Sequence, residues 1–179
     1  RSNKRISAGL WLLYLFILFE SLAALLPADN LSSSDYLASF LSSMSLIFPA
    51  IKSIGDISPM PGFVYRFYSI FWILLPINIF ITLNFVETTR RHGEITKFNR
   101  IMGLSILLIV VVVMIYWVGF YTGFKSHSGY SGGRAKMFSY LFSESRLGVG
   151  LLGTIFSYAI SFGICGILDN LKNIFNGKA

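Results

Sequence analysis

Residues 14–27 read YLFILFESLAALLP, an apolar run that carries one charged side chain, Glu20. The run belongs to a longer apolar segment, residues 8–26, which has close to the 20 or so residues that a helix needs to cross a bilayer. A charge near the centre of such a helix costs about 2.5–3.5 kcal/mol, so it is expected to have a partner or a function. The stretch therefore predicts a membrane-spanning helix and makes Glu20 a candidate functional residue.

The composition of the whole chain also indicates a membrane protein. Of its 179 residues, 54% are hydrophobic and 13% are charged, whereas soluble domains are about 45–50% apolar and about 25% charged. The net charge is +7, but basic residues in a membrane protein mark cytoplasmic loops more often than nucleic-acid contacts. We expect a lipid bilayer as the surroundings of this chain and no direct nucleic-acid partner.

Three further segments are apolar and long enough to span a bilayer, namely residues 63–86, 101–124 and 147–168. We predict an all-α fold, with residues 1–179 forming one domain, an integral membrane four-helix bundle. Nine of the fifteen Lys and Arg residues fall outside these spans on the side that holds both termini. By the positive-inside rule, this bias predicts a multi-pass protein of a bacterial inner membrane with cytoplasmic N- and C-termini.

The segments between the spans differ in character. Residues 34–52 place apolar side chains at helical spacing with serines mainly between them, which predicts an extra amphipathic helix between the first two spans. Its polar face has no Lys or Arg, so we expect it to pack against the bundle on the outer side rather than to lie on lipid. Residues 125–146 are predicted to form an outer Gly-rich loop, residues 87–100 an inner basic loop and residues 169–179 an inner tail.

Arg66 is the expected partner of Glu20. It is the one basic residue inside the mouth of another span, and it belongs to the same predicted leaflet. Ala23 and Ala24 would let the two helices approach closely. We predict an intramembrane ion pair between Glu20 and Arg66, which either clamps the first two spans together or forms part of a proton or ion relay.

The fourth span carries small residues on two nearly opposite faces. Small residues permit the close backbone approach that stabilises helix pairs in lipid, so each face is expected to contact a neighbour. We predict that one of these neighbours is a second copy of the chain, which makes the protein a homo-oligomer. One face consists of Gly150, Gly153, Ser157 and Ser161, and the other includes Ala159, Gly163 and Gly166.

The sequence predicts that the protein is not an enzyme and has no cofactor. Residues 129–133, GYSGG, match the letters of a hydrolase nucleophile elbow, but they lie in a loop between spans, and both histidines come earlier in the chain. A thiolate metal site is also excluded because Cys165 is the only cysteine. No P-loop or dinucleotide-binding fingerprint occurs.

The inner loop concentrates positive charge in the stretch VETTRRHGEITKFNR. Basic residues at a membrane surface attract anionic lipid, by about 1 kcal/mol each, and they also mark the inner side of a membrane protein. The same residues could instead dock a cytosolic protein partner. The side chains concerned are Arg90, Arg91, Lys97 and Arg100.

In size and topology the chain resembles two groups of bacterial inner-membrane proteins: the four-span immunity proteins that protect against pore-forming colicins, and the membrane subunit of the Kiwa anti-phage system. The resemblance implies a non-catalytic defence or immunity protein, active against phage or bacteriocin. Its outer surface, residues 28–62 and 125–146, would sense or block a membrane attack, while the inner basic loop engages a cytosolic partner.

Two other functions stay open at this point. A small oligomeric channel or transporter would need a polar path, for which Glu20, Arg66, Asn78 and Asn84 are the candidates. Alternatively, the chain is a structural subunit of a larger membrane complex.

Overall fold

The computed structural model describes residues 6–28, 35–87, 97–125, 129 and 132–175. Within these ranges two short strands, β1 (Ile6–Ser7) and β2 (Val86–Glu87), pair in parallel. The helices are α1 (Ala8–Leu25), α2 (Asp35–Ile47), α3 (Pro49–Ile57), α4 (Pro61–Phe85), α5 (Lys97–Gly119), α6 (Gly133–Ser143) and α7 (Arg146–Phe175). The β1–β2 pairing places the start of α1 beside the end of α4, and we call this end of the bundle the strand end.

The predicted all-α class is confirmed. In the part of the chain that the structure describes, four helices are long and apolar enough to cross a membrane: α1, α4, α7 and the part of α5 from Ile101 onward. The fold is therefore that of a multi-pass membrane protein. The helix stops before the end of the predicted span 101–124, because α5 ends at Gly119, where the Tyr121 N–H donates to the Tyr116 carbonyl five residues earlier in a widened last turn. The predicted span 147–168 lies within α7, which continues to Phe175.

Helix α7 is the central helix, since α1, α4, α5 and α6 all contact it. Helix α1 shows how a neighbour is arranged around it. The buried side chains of α1 form a single stripe at four-residue spacing, and the rest of that helix is largely exposed. Such a stripe is the face by which a helix packs on its neighbours, and the exposed apolar remainder suits lipid. The stripe consists of Trp11, Leu15, Phe19 and Ala23.

The amphipathic helical segment predicted over residues 34–52 consists of two helices, α2 and α3, which are bent by 111°. The bend falls at Pro49, which has no N–H to donate to the preceding turn and disfavours helical backbone at Phe48. The expected packing against the bundle is confirmed for α3, whose Ile51 and Ile54 are fully buried. At the bend, the Phe48 ring stacks on Trp72 of α4 with 4.1 Å between the ring centroids.

The predicted Gly-rich loop over residues 125–146 contains a helix that the sequence analysis did not predict, α6. The glycines that favoured a loop, Gly132 and Gly133, lie at the N-terminal boundary of α6, and the ten residues after them contain no Gly or Pro. Ser139 donates to the Lys125 carbonyl at 2.7 Å and fixes α6 to the segment that leaves α5. We call α2, α3 and α6, which lie at the opposite end from the strand end, the cap.

Candidate functional site

Glu20 lies on α1 in the half of the helix nearer to the cap. Its carboxyl group faces α7 at Gly150, where an added Cβ would lie 2.9 Å from the carboxyl carbon and from Oε1. Oε1 is shielded from solvent and has no hydrogen-bond partner among the described residues. The absence of a side chain at Gly150 therefore creates the space that the carboxyl group occupies.

Arg66 is buried in α4, with 6% of its surface exposed. Its Nη1 donates to the Pro27 carbonyl at 2.7 Å. Pro27 follows Glu20 by seven residues and lies two residues beyond the end of α1 at Leu25. The predicted ion pair between Glu20 and Arg66 stays a prediction, and the bond that the structure shows for the Arg66 guanidinium joins it to the end of α1.

The physical reason lies at the C-terminal end of α1. The last four carbonyls of a helix have no intrahelical donor, and they carry the negative end of the helix dipole. A guanidinium in an apolar setting can satisfy such carbonyls with several N–H donors in a fixed plane. Arg66 donates to the carbonyl of Pro27, just after α1.

A second guanidinium, from Arg146, acts at the same end of α1 and was missed by the sequence reasoning. Its Nη1 donates to the Ala24 carbonyl at 3.3 Å and lies 3.5 Å from the Ala23 carbonyl. Its Cζ also lies 5.1 Å from the centroid of the Phe63 ring, within the range of a cation–π contact. The only signal in the sequence is a lone arginine at the start of the fourth span.

Arg66 and Arg146 together form what we call the arginine clamp. It ties the end of α1 to α4 through Arg66 and to α7 through Arg146. Hydrogen bonds that involve a charged donor contribute about 1.5–3 kcal/mol each, more than neutral ones. The clamp is thus a structural device that holds the end of α1 against α4 and α7.

The two asparagines of the proposed polar path lie in different environments. Asn78 is buried, and its side-chain amide donates to Ser157 Oγ on α7 at 2.8 Å, while Thr82 donates to the Asn78 carbonyl. Asn84 is exposed, and its amide donates to the Phe80 carbonyl of its own helix. The structure therefore does not bring Asn78 and Asn84 into one path with Glu20 and Arg66.

The first small-residue face of α7 contacts α1 and α4. A Cβ at Gly153 would lie 2.9 Å from Phe67 and 3.2 Å from Phe19. Ser157 accepts the bond from Asn78, and Ser161 is fully buried. This face therefore fits the close approach that the sequence predicted.

The second small-residue face of α7 contacts α5 of the same chain. A Cβ at Gly163 would overlap the Val111 side chain, and one at Gly166 would lie 2.8 Å from Leu107. Ala159, on the same predicted face, is half-buried. The argument for a second copy on this face no longer holds, because the chain's own helix covers it, and homo-oligomerisation stays a prediction without that support.

Two of the four predicted inner basic residues belong to the described part of the chain, and they lie toward the strand end. Lys97 and Arg100 belong to the first turn of α5. Arg90 and Arg91 lie outside the described residues, so the structure does not test their role. The docking of lipid or of a cytosolic partner to this loop stays a prediction.

Comparisons of the chain with protein-family models, with curated proteins and with solved structures found no match.

Proposed function

We propose that this chain is a non-catalytic defence or immunity protein of the bacterial inner membrane, which recognises an attacking phage component or bacteriocin through its cap. The proposal places recognition on the outer side and signalling or anchoring on the inner basic loop. It follows from the arrangement of the cap and from the structural use of the polar groups in the helices.

The observation that carries the proposal is that the described parts of two distant segments, α3 with Ser58 and α6, are joined to each other and to the bundle. The hydroxyl of Ser58, just after α3, donates to the carbonyl of Ser143 at the end of α6. Beneath this bond, Tyr68 of α4 donates to the Phe142 carbonyl at 3.2 Å. A surface built from two segments and fixed to the bundle suits recognition, because little ordering entropy is lost on binding.

Helix α6 supplies the side chains best placed for recognition. Arg134, Lys136, Met137 and Tyr140 are all exposed on this helix. Arginine, methionine and tyrosine are enriched in protein interfaces, and two basic groups would steer an acidic partner toward them. We therefore place the recognition surface on α6.

The test is a protection assay. Bacteria that express the chain and bacteria with an empty vector are challenged with a phage panel and with pore-forming bacteriocins, and survivors are counted. We expect protection against at least one attacker, which reversing both charges of α6 (Arg134→Glu with Lys136→Glu) abolishes without lowering the amount of protein in the membrane. The control is Lys172→Glu, an exposed charge near the other end of α7, which should protect fully. Failure of the chain to protect against the whole panel would contradict the proposal.

The inner basic loop gives a separate arm of the same assay. Replacing Arg90, Arg91, Lys97 and Arg100 by Gln removes four positive charges and leaves the cap unchanged. If a cytosolic partner docks there, protection is lost while the purified protein keeps its thermal stability. Full protection by this variant would remove the cytosolic partner from the proposal and leave recognition by the cap standing.

One observation favours a second candidate function, a small channel or transporter. Oε1 of Glu20 has no hydrogen-bond partner in the described structure, and an ionisable group within a membrane span often marks an ion or proton pathway. This candidate predicts that purified protein in liposomes conducts protons or small cations and that Glu20→Gln abolishes the flux. Liposomes without basal flux, combined with protection of cells, would favour the defence function.

A further inference from the structure

A cavity of about 410 Å³ opens at the bend between α2 and α3. The α2 side contributes Ser45 and Leu46, the α3 side Pro49, Lys52 and Asp56, and the segment after α5 contributes Thr122. Ser53 donates to the Thr122 carbonyl at 2.8 Å, which fixes one wall of the cavity. Pockets of about 300–1,000 Å³ suit small ligands, so this one has room for a small head group.

The cavity presents one positive and one negative group from the same helix. Lys52 and Asp56 are four residues apart on α3, about 6 Å along its axis, and both line the cavity. They form no ion pair with each other, although residues at this spacing commonly do. Asp56 accepts a hydrogen bond from Tyr65 at 3.4 Å, which positions the carboxylate. The arrangement is complementary to a zwitterion whose charges are a few ångströms apart.

The depth of the cavity matches the polar surface of a bilayer. The apolar span of α5 runs from Ile101 to Gly119, a length of about 28 Å that corresponds to the hydrocarbon core. Thr122 follows that span by three residues, and Trp117 and Tyr121 flank its end. Tryptophan and tyrosine are enriched at membrane–water interfaces, so this end of α5 lies at the level of the lipid head groups.

An apolar surface continues from the edge of the cavity. Leu46 lines the cavity and is 80% exposed, and the neighbouring Ile47 is 58% exposed. Burying such side chains against acyl chains is favourable, by about 25 cal/mol per Å² of apolar area. A water-soluble zwitterion would leave this surface uncovered, whereas a phospholipid would cover it.

We propose that the cavity binds a phospholipid with a primary-amine head group, of the phosphoethanolamine type. The phosphate lies at Lys52, the ammonium group donates to Asp56, and an acyl chain covers Leu46 and Ile47. This site is separate from the recognition surface on α6 and does not depend on the defence function.

The test is native mass spectrometry of the purified full chain in detergent, titrated with phosphatidylethanolamine, phosphatidylcholine or phosphatidylglycerol. The ethanolamine lipid should bind best, because choline has no N–H to donate and glycerol has no positive charge. Asp56→Asn should lower binding of the ethanolamine lipid about two- to fivefold, as expected for one exposed ion pair, and leave the glycerol lipid unaffected. Lys52→Gln should weaken both, since both carry the phosphate.

The matched control is Lys172→Gln, which removes an exposed charge near the end of α7 outside the cavity and should leave the binding of all three lipids unchanged. Circular dichroism of each variant checks that its helices are intact. The proposal would be overturned if the three lipids bound equally well. It would also be overturned if Asp56→Asn and the unaltered chain bound the ethanolamine lipid equally well. Binding of free phosphoethanolamine as tight as that of the lipid would likewise overturn it. So would a soluble protein that displaces the lipid and whose own binding requires Lys52 and Asp56.

Discussion

The carboxyl group of Glu20 lies against the backbone of Gly150, where an added Cβ would be 2.9 Å from the carboxyl carbon. Glycine at this position lets an acid from α1 reach the central helix. Adding a methyl group forces either the carboxyl group or the helices to move. This contact defines where α1 sits on α7.

Gly150→Ala should therefore destabilise the bundle. Overpacking a close contact costs about 1–3 kcal/mol, so we expect a lower unfolding temperature of the purified protein in detergent. The control is Gly103→Ala on α5, where an added Cβ meets nothing within 4 Å, and which should be neutral or slightly stabilising because alanine is the better helix former. Equal stability of the two variants would show that α1 does not lie on Gly150.

Removing the second half of the arginine clamp should loosen the end of α1. Arg146→Gln loses the charged hydrogen bond to the Ala24 carbonyl and the contact with the Phe63 ring, so we expect a loss of about 1.5–3 kcal/mol in the free energy of unfolding. Arg134→Gln, which removes an exposed charge from α6, serves as the control. An unchanged unfolding temperature for Arg146→Gln would contradict the clamp.

The hydrogen bond from Asn78 to Ser157 should contribute a modest amount to the free energy of unfolding. Hydrogen bonds between membrane helices average about 0.6 kcal/mol and reach about 1.7 kcal/mol. A double-mutant cycle with Asn78→Ala and Ser157→Ala should give a coupling energy in that range. Asn84→Ala loses only a hydrogen bond within its own helix. Its coupling energy with Ser157→Ala should therefore be too small to measure. A coupling energy near zero between Asn78→Ala and Ser157→Ala would mean that α4 or α7 is rotated about its axis, so that the two side chains do not meet.

The second small-residue face of α7 should be occupied within one chain. Leu107→Cys with Gly166→Cys, in a background where Cys165 is replaced by Ser, should form a disulfide inside a single chain. On a non-reducing gel the product should run as a monomer. A cross-linked dimer would restore the predicted second copy on this face.

Sequence reasoning located the spans because apolar length is a property of each segment alone. Residues 8–26 correspond to α1 (Ala8–Leu25), and 63–86 to α4 (Pro61–Phe85), within two residues at each end. The ends of α5 and α7 were less accurate, since α5 stops at Gly119 and α7 continues into a more polar tail. Helix ends depend on local capping and on contacts that hydropathy does not record.

The candidate site was harder to predict because it depends on how each helix is rotated. Glu20 and Arg66 share a level in the bundle by sequence position, but the carboxyl group of Glu20 faces Gly150 and the guanidinium of Arg66 faces Pro27. The small residues of the fourth span were read correctly as contact faces. The neighbour at Gly163 is α5, and the sequence of α7 holds no information on where α5 lies.

The most direct test of this architecture is disulfide or short bis-methanethiosulfonate cross-linking in native membranes, in a background where Cys165 is replaced by Ser. The structure predicts that Glu20→Cys with Gly150→Cys becomes cross-linked within one chain, whereas Glu20→Cys with Arg66→Cys does not. Efficient cross-linking of the second pair without the first would contradict the placement of the acid on α7 and support the ion pair expected from the sequence.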